Sequence, residues 1–375
     1  MGGTIELPFG LATSIGSVPC DSPQDACEFA MSANASFPTV PVLASHSSSL
    51  LAQAVHGIPG VEVQPPGVLR LDGSPVGDAP VGDVPVGDVP GRDTADTRAA
   101  AQALIAGELD GDDIEVVVSG GPFAATTEFV ARLGAESDAG NLLGVRVGLL
   151  GPVTLALSLR AAGVPADHAL ALAESVVARR AAALLAAARS ALPDAVVLVC
   201  ASEPGLVGAM HPTFPLAPSE VASALGRLVT TLDEHPDAGD LLIGVHVPGR
   251  TNWEAILATG VSVISAPADA GAVGWAPQLT DFLDRGGRIV WGAVPVDQPL
   301  GTSEELLWRR LSALWCELVG AGMDPLLLRS RSLISPVDGL GHFGRTQAVR
   351  LLDLVDEISL RVRRQAIGAR LSLGA

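Results

Sequence analysis

Along most of this chain, short runs of apolar residues alternate with longer stretches whose apolar residues recur every three to four positions. No other feature restricts the fold as strongly. The runs at 12–17, 39–44, 114–119, 143–150, 195–200, 241–246, 261–265, 288–293 and 326–334 read as strands. The stretches at 22–32, 50–56, 94–105, 125–133, 153–161, 166–191, 218–232, 253–258, 277–283, 303–320 and 346–371 read as helices, the first with Ser22 as cap and Pro23 in its first turn. Because the strands are continuously apolar, both of their faces must be covered. About eight such strands separated by helices predict an α/β fold, the (β/α)8 TIM barrel, as a single domain over 1–375. An open doubly wound sheet is the competing arrangement, but no G-x-G-x-x-G follows the first strand.

Residues 74–93 break the pattern with a repeated V-G-D-(A/V)-P unit that has no apolar period. A Pro, a Gly and an Asp in every unit predict an exposed, flexible insert. A calcium loop is the second reading, although one carboxylate every five residues matches no known ligand spacing.

Charge and composition narrow the function. A formal net charge of −18 disfavours nucleic acid and anionic membrane surfaces as partners and leaves a small-molecule substrate as the expectation. No uninterrupted apolar run is long enough for a span and no basic-then-apolar leader opens the chain, so the expected location is cytoplasmic. All 23 basic residues are arginine, which excludes Schiff-base chemistry on lysine. Cys20, Cys27, Cys200 and Cys316 lack C-x-x-C spacing and read as reduced thiols. Nothing in the sequence sets an oligomeric state.

In a barrel the chemistry lies at the C-terminal strand ends. Those ends carry Ser14-Ile15-Gly16-Ser17, Leu150-Gly151-Pro152-Val153-Thr154, Ser202-Glu203-Pro204-Gly205-Leu206, His246 and Ser335-Pro336-Val337-Asp338-Gly339-Leu340. In that order they resemble the C-terminal catalytic barrel of cobalamin-independent methionine synthases, within the uroporphyrinogen-decarboxylase-like superfamily. The resemblance runs from Ala12 to the last helix. It implies transfer of a methyl group from a folate-type or other donor to a thiol such as homocysteine, activated on zinc. It also implies substrate binding by Ile15, Gly16, Ser17 and Glu203, catalysis by Glu203 and His246, and metal binding by His246.

The family's remaining zinc ligands are replaced. Pro248 stands in the place of the first cysteine, Ser265 or Ala266 in that of the glutamate, and Asp338 in that of the second cysteine. A set without a thiolate does not suit tight zinc binding, so Asp338 reads either as a hard ligand beside His246 and His342 or as a turn cap. Where the family has Asp-Glu-Pro, this chain has Ser202-Glu203-Pro204. His211 is a further candidate acid or base, Arg250 a candidate anion contact, and Cys20 a candidate reactive group near the mouth. Cys200 reads as core, while Trp275 and Trp291 read either as pocket lining or as packing. Two other functions stay open: a diverged, zinc-less, non-catalytic barrel that binds a small molecule or a partner, and superfamily-type decarboxylase or lyase chemistry with Arg250 and Glu203.

Overall fold

The computed structural model describes residues 5–71, 94–136, 142–297 and 302–372, so the repeat at 74–93 lies outside the described residues. Its strands are β1 (Leu11–Ala12), β2 (Ser17–Val18), β3 (Val42–Leu43), β4 (Val61–Gln64), β5 (Val68–Leu71), β6 (Gly144–Leu150), β7 (Val196–Ser202), β8 (Leu241–His246), β9 (Val263–Pro267), β10 (Arg288–Val294) and β11 (Ser332–Pro336). Its helices are α1 (Pro23–Ser32), α2 (Leu50–Val55), α3 (Thr94–Ala106), α4 (Ala124–Glu136), α5 (Pro152–Ala161), α6 (Ala166–Ala191), α7 (Pro218–Asp233), α8 (Trp253–Leu257), α9 (Ala276–Asp284), α10 (Glu304–Gly320), α11 (Pro325–Ser330) and α12 (Arg345–Ser372).

The apolar runs pair into one parallel seven-stranded sheet in the order β1-β11-β10-β9-β8-β7-β6. The sheet curls, because Leu11 of β1 shares an apolar cluster with Val196 and Leu198 of β7, near the sheet's other end. Alternate residues of each strand face into the curl, such as Leu198, Cys200, Leu242, Val263, Val290 and Leu333. Their neighbours Val197, Val199, Val245, Ile264, Trp291 and Ile334 join the larger core under the helices. Both faces are therefore covered, as the unbroken apolar runs require. Trp291 is packing: it is fully buried and donates to Ser332 Oγ at 2.9 Å.

The expected closed ring is corrected to a half-barrel. Between β6 and β1 the described residues give only a two-stranded ladder, β2 with β3, and a single bridge from Thr39 to Arg146. Pro38 and Pro41 have no N–H to give, and the backbone ties across this gap include Leu143 N–H on Ser36 O (2.8 Å), Val40 N–H on Arg146 O (2.8 Å), Arg146 N–H on Pro38 O (2.9 Å) and Val42 N–H on Gly16 O (2.8 Å). Gly16, at φ 79°, breaks the expected strand at 12–17 into β1 and β2.

Two other expectations change, and one hairpin is added. Residues 114–119 are not a strand: only Ile114 is buried there, and the 38–40 segment holds the place beside β6. The run at 326–334 splits, because Asp324 caps and Pro325 starts α11 before β11 begins. Hairpin β4–β5, closed by Gly67 N–H on Gln64 O, is an element the sequence reading did not assign, although Val61-Glu62-Val63-Gln64 and Leu69-Arg70-Leu71 alternate apolar and polar residues. Among the described residues, no helix is long and apolar enough to cross a membrane.

Candidate functional site at the C-terminal edge of the sheet

The register sets Leu150, Ser202, His246 and Ser265 side by side across β6, β7, β8 and β9. On β7 and β8, Ser202 and His246 share the parity of Cys200 and Gly244, which turns them into the curl.

His246 is 2% exposed. Its Nδ1 lies 3.0 Å from Ser265 Oγ, while its Nε2 is buried without a hydrogen-bond partner. The nearest charge to Nε2 is Asp338 Oδ1 at 3.8 Å, an ion-pair distance too long for a hydrogen bond. Burial lowers the imidazole pKa from its ordinary 6.5, and the Arg146 charge lowers it further against the pull of Asp338. At neutral pH His246 is thus a neutral ring with one nitrogen fixed and the other unengaged.

Asp338 is half-exposed and accepts from the N–H of its neighbour Gly339 at 2.7 Å. Partial burial acts to raise its pKa, but His246, the Gly339 N–H and His342 together hold it below the usual carboxylate range. The loop it heads crosses part of the mouth. A Cβ on Gly339 would meet Ser17 Cβ at 2.5 Å, and one on Gly341 would meet Ser17 Oγ at 2.3 Å. These glycines therefore let the loop lie against Ser17, with Leu340 N–H donating to Ser17 O. Ser17 N–H is taken up by Ile15 O at 2.9 Å, and Gly16 O accepts from Val42, so this turn is held within the protein.

Glu203 stands beside His246 through its backbone, its N–H donating to His246 O at 2.8 Å. Its carboxylate faces elsewhere. Val153 N–H donates to Oε1 at 2.9 Å, and Thr154 donates to Oε2 through N–H at 2.7 Å and through Oγ1 at 2.5 Å. Both oxygens cap the first turn of α5, whose own N-cap, Gly151, has no side chain to do so. The Glu203 side chain is completely buried, and burial outweighs these hydrogen bonds to push its pKa up to about 7.

The structure thus brings His246, Asp338 and Ser17 to one mouth and turns the Glu203 carboxylate away from it. The other candidates lie farther out. His211 is exposed in its own turn, with Nδ1 2.8 Å from Thr213 Oγ1. Arg250 is exposed, its guanidinium against Gly271, and His342 is exposed beyond Asp338. Cys20 is buried, with burial raising its pKa. Trp275 stacks at 5.5 Å on Trp253, in the packing outside the curl.

One residue escaped the sequence reading. Arg146, in the middle of β6, is 2% exposed and faces into the curl. Its Nη2 donates to Cys200 Sγ at 3.2 Å and its Nη1 is buried without a partner among the described residues. The signal was present: a charged residue inside a run covered on both faces cannot reach water and must be met by something polar.

The donors described do not fit the zinc that the family resemblance implies. Among the described residues no group of three or more His, Cys, Asp or Glu side chains is placed to hold a metal ion, and His246 has only Asp338 beside it.

No protein-family model matches the chain, and no curated protein matches it. Among solved structures, it is similar to a Listeria monocytogenes protein described as an inferred vitamin-B12 independent methionine synthase, with 13% identity and a TM-score of 0.42 over 63% of this chain and 69% of that one.

Proposed function

We propose that the chain is a metal-free barrel relative that binds a small polar molecule at the C-terminal mouth of its sheet, with His246 as the group that meets the bound molecule. The observation that carries this reading is the buried, unpartnered Nε2 of His246 at the strand end, in a ring positioned by Ser265. A neutral imidazole so held can donate or accept a hydrogen bond, or move a proton, without a metal. Zinc-dependent methyl transfer to a thiol such as homocysteine is the reading that the donor set supports least.

The test is metal analysis together with histidine NMR. After incubation with zinc and dialysis, the protein should retain far less than one zinc per chain. The resonance lost in His246→Gln should titrate below the ordinary 6.5. Stoichiometric zinc that disappears in His246→Gln would overturn the metal-free reading and restore methyl transfer. A His246 that titrates like a solvent-exposed histidine would show that the ring is not the buried group on which the site is built.

A further inference from the structure

We propose that the interior of the curled sheet is a binding site for a small carboxylate, with the Arg146 guanidinium at its floor and His246 Nε2 at its rim. This rests on the mouth reading above and adds the class of molecule. An arginine inside a protein does not lose its charge, and a buried cation is normally matched by an anion or by a full set of acceptors. Arg146 has neither. Its one side-chain partner is the Cys200 sulfur, a weak acceptor, and its Nη1 is buried with no acceptor. The other deeply buried arginines each have carbonyl oxygens on their guanidinium, Arg180 those of Ala54 and His56, Arg189 that of Ala195 among others, and Arg288 that of Ile5, although the Nε of Arg180 and of Arg288 is also unpartnered.

A second, independent observation shows that space reaches this floor. Gly148 pairs with Cys200 and shares Arg146's inward parity, so it sits at the level where the guanidinium meets the sulfur. It is only half-buried, and a Cβ added there would meet nothing within 4 Å among the described residues. Ser202, one layer higher on the neighbouring strand, is also only half-buried. The opening therefore lies on the β6–β7 side. The β10 side is closed, since a Cβ on Gly292 would meet Val337 Cα at 2.9 Å.

Charge selects the ligand. The floor offers one positive charge for a singly charged carboxylate to pair with, and the negative charge of Asp338 at the rim weighs more heavily against a phosphate dianion. A carboxylate has one oxygen for each of the two unengaged donors, one on Arg146 and one on His246, once Ser265 Oγ–H donates to Nδ1 and leaves the proton on Nε2.

Acetate is the probe, titrated against chloride at matched ionic strength, with thermal unfolding and calorimetry as readouts. Wild type should be stabilised by acetate in a saturable way. Arg146→Met keeps the stem and removes the charge; it should weaken acetate binding at least about tenfold and raise the unfolding temperature in acetate-free buffer. Gly148→Val keeps the arginine, fills the opening at a position with room for it, and should also abolish the acetate response. No saturable response in wild type, or an undiminished response in Gly148→Val, overturns the proposal even where Arg146→Met fails to fold. His246→Gln separates the two readings. An acetate response that needs Arg146 but not His246 supports the anion floor and removes His246 from the site. A response that needs neither overturns the carboxylate site, while the zinc and NMR outcomes for His246 stand on their own.

Discussion

Truncation of Glu203 to alanine is expected to lower the free energy of unfolding by about 2–4 kcal/mol at pH 5, read from equilibrium urea denaturation. The side chain closes the N-terminus of α5 from another strand, meeting the N–H groups of Val153 and Thr154 and the Thr154 hydroxyl. That hydroxyl also accepts from Gly205 N–H at 3.0 Å, so the carboxyl links the end of β7 to the start of α5. Its removal leaves two buried amides without acceptors, each costing about 1–3 kcal/mol, and opens a void in a completely buried position. A loss below about 1 kcal/mol would show that the carboxyl does not hold this helix start.

The same group gives stability a pH dependence with a definite sign. Burial raises the folded pKa to about 7 from an ordinary 4.5. Between those values the folded protein holds a proton that the unfolded chain has released. The contribution is therefore complete below 4.5 and is lost as pH rises through about 7. His246 acts oppositely: its folded pKa is depressed, so its contribution is present above 6.5 and lost as pH falls through the lower folded value. The difference between wild type and Glu203→Gln removes the histidine part. That difference should favour wild type less at pH 8 than at pH 5, and a difference flat over this window would place the Glu203 pKa outside it.

The strands that form the body of the sheet were legible because they are apolar on both faces. β6 to β10 appear at the expected places, within about two residues at each end. The closing segments were not legible, because what decides them is the absence of donors at Pro38 and Pro41 and the turn at Gly16, features that apolar periodicity does not register. The mouth was located through His246, Asp338 and Ser17, which lie at strand ends. The role of Glu203 was hidden for a different reason: its partners lie 49 and 50 residues earlier, and no local pattern joins a strand end to a distant helix start. Arg146 was passed over because it sits within an apolar run, where periodicity treats it as noise. Its parity with Cys200 and Gly148 is what turns it inward.

Gly151→Ala should destabilise the protein by about 2–3 kcal/mol, and nearly all of that cost should vanish when Glu203 is also alanine. Gly151 has φ −78° and ψ 161°, a backbone that alanine adopts without strain, so the substitution would otherwise be neutral or slightly stabilising through the unfolded chain. What forbids a side chain is the Glu203 carboxyl. An added Cβ would lie 2.2 Å from Oε1 and 2.3 Å from Cδ, and burial on all sides leaves the carboxyl nowhere to retreat without releasing the α5 amides. The two substitutions thus remove the same interaction by different routes, and the double-mutant cycle should show a coupling of about 2 kcal/mol. Additive effects would mean that the carboxyl can move aside, and with that mobility Glu203 would regain access to the mouth and its place among the candidate catalytic groups.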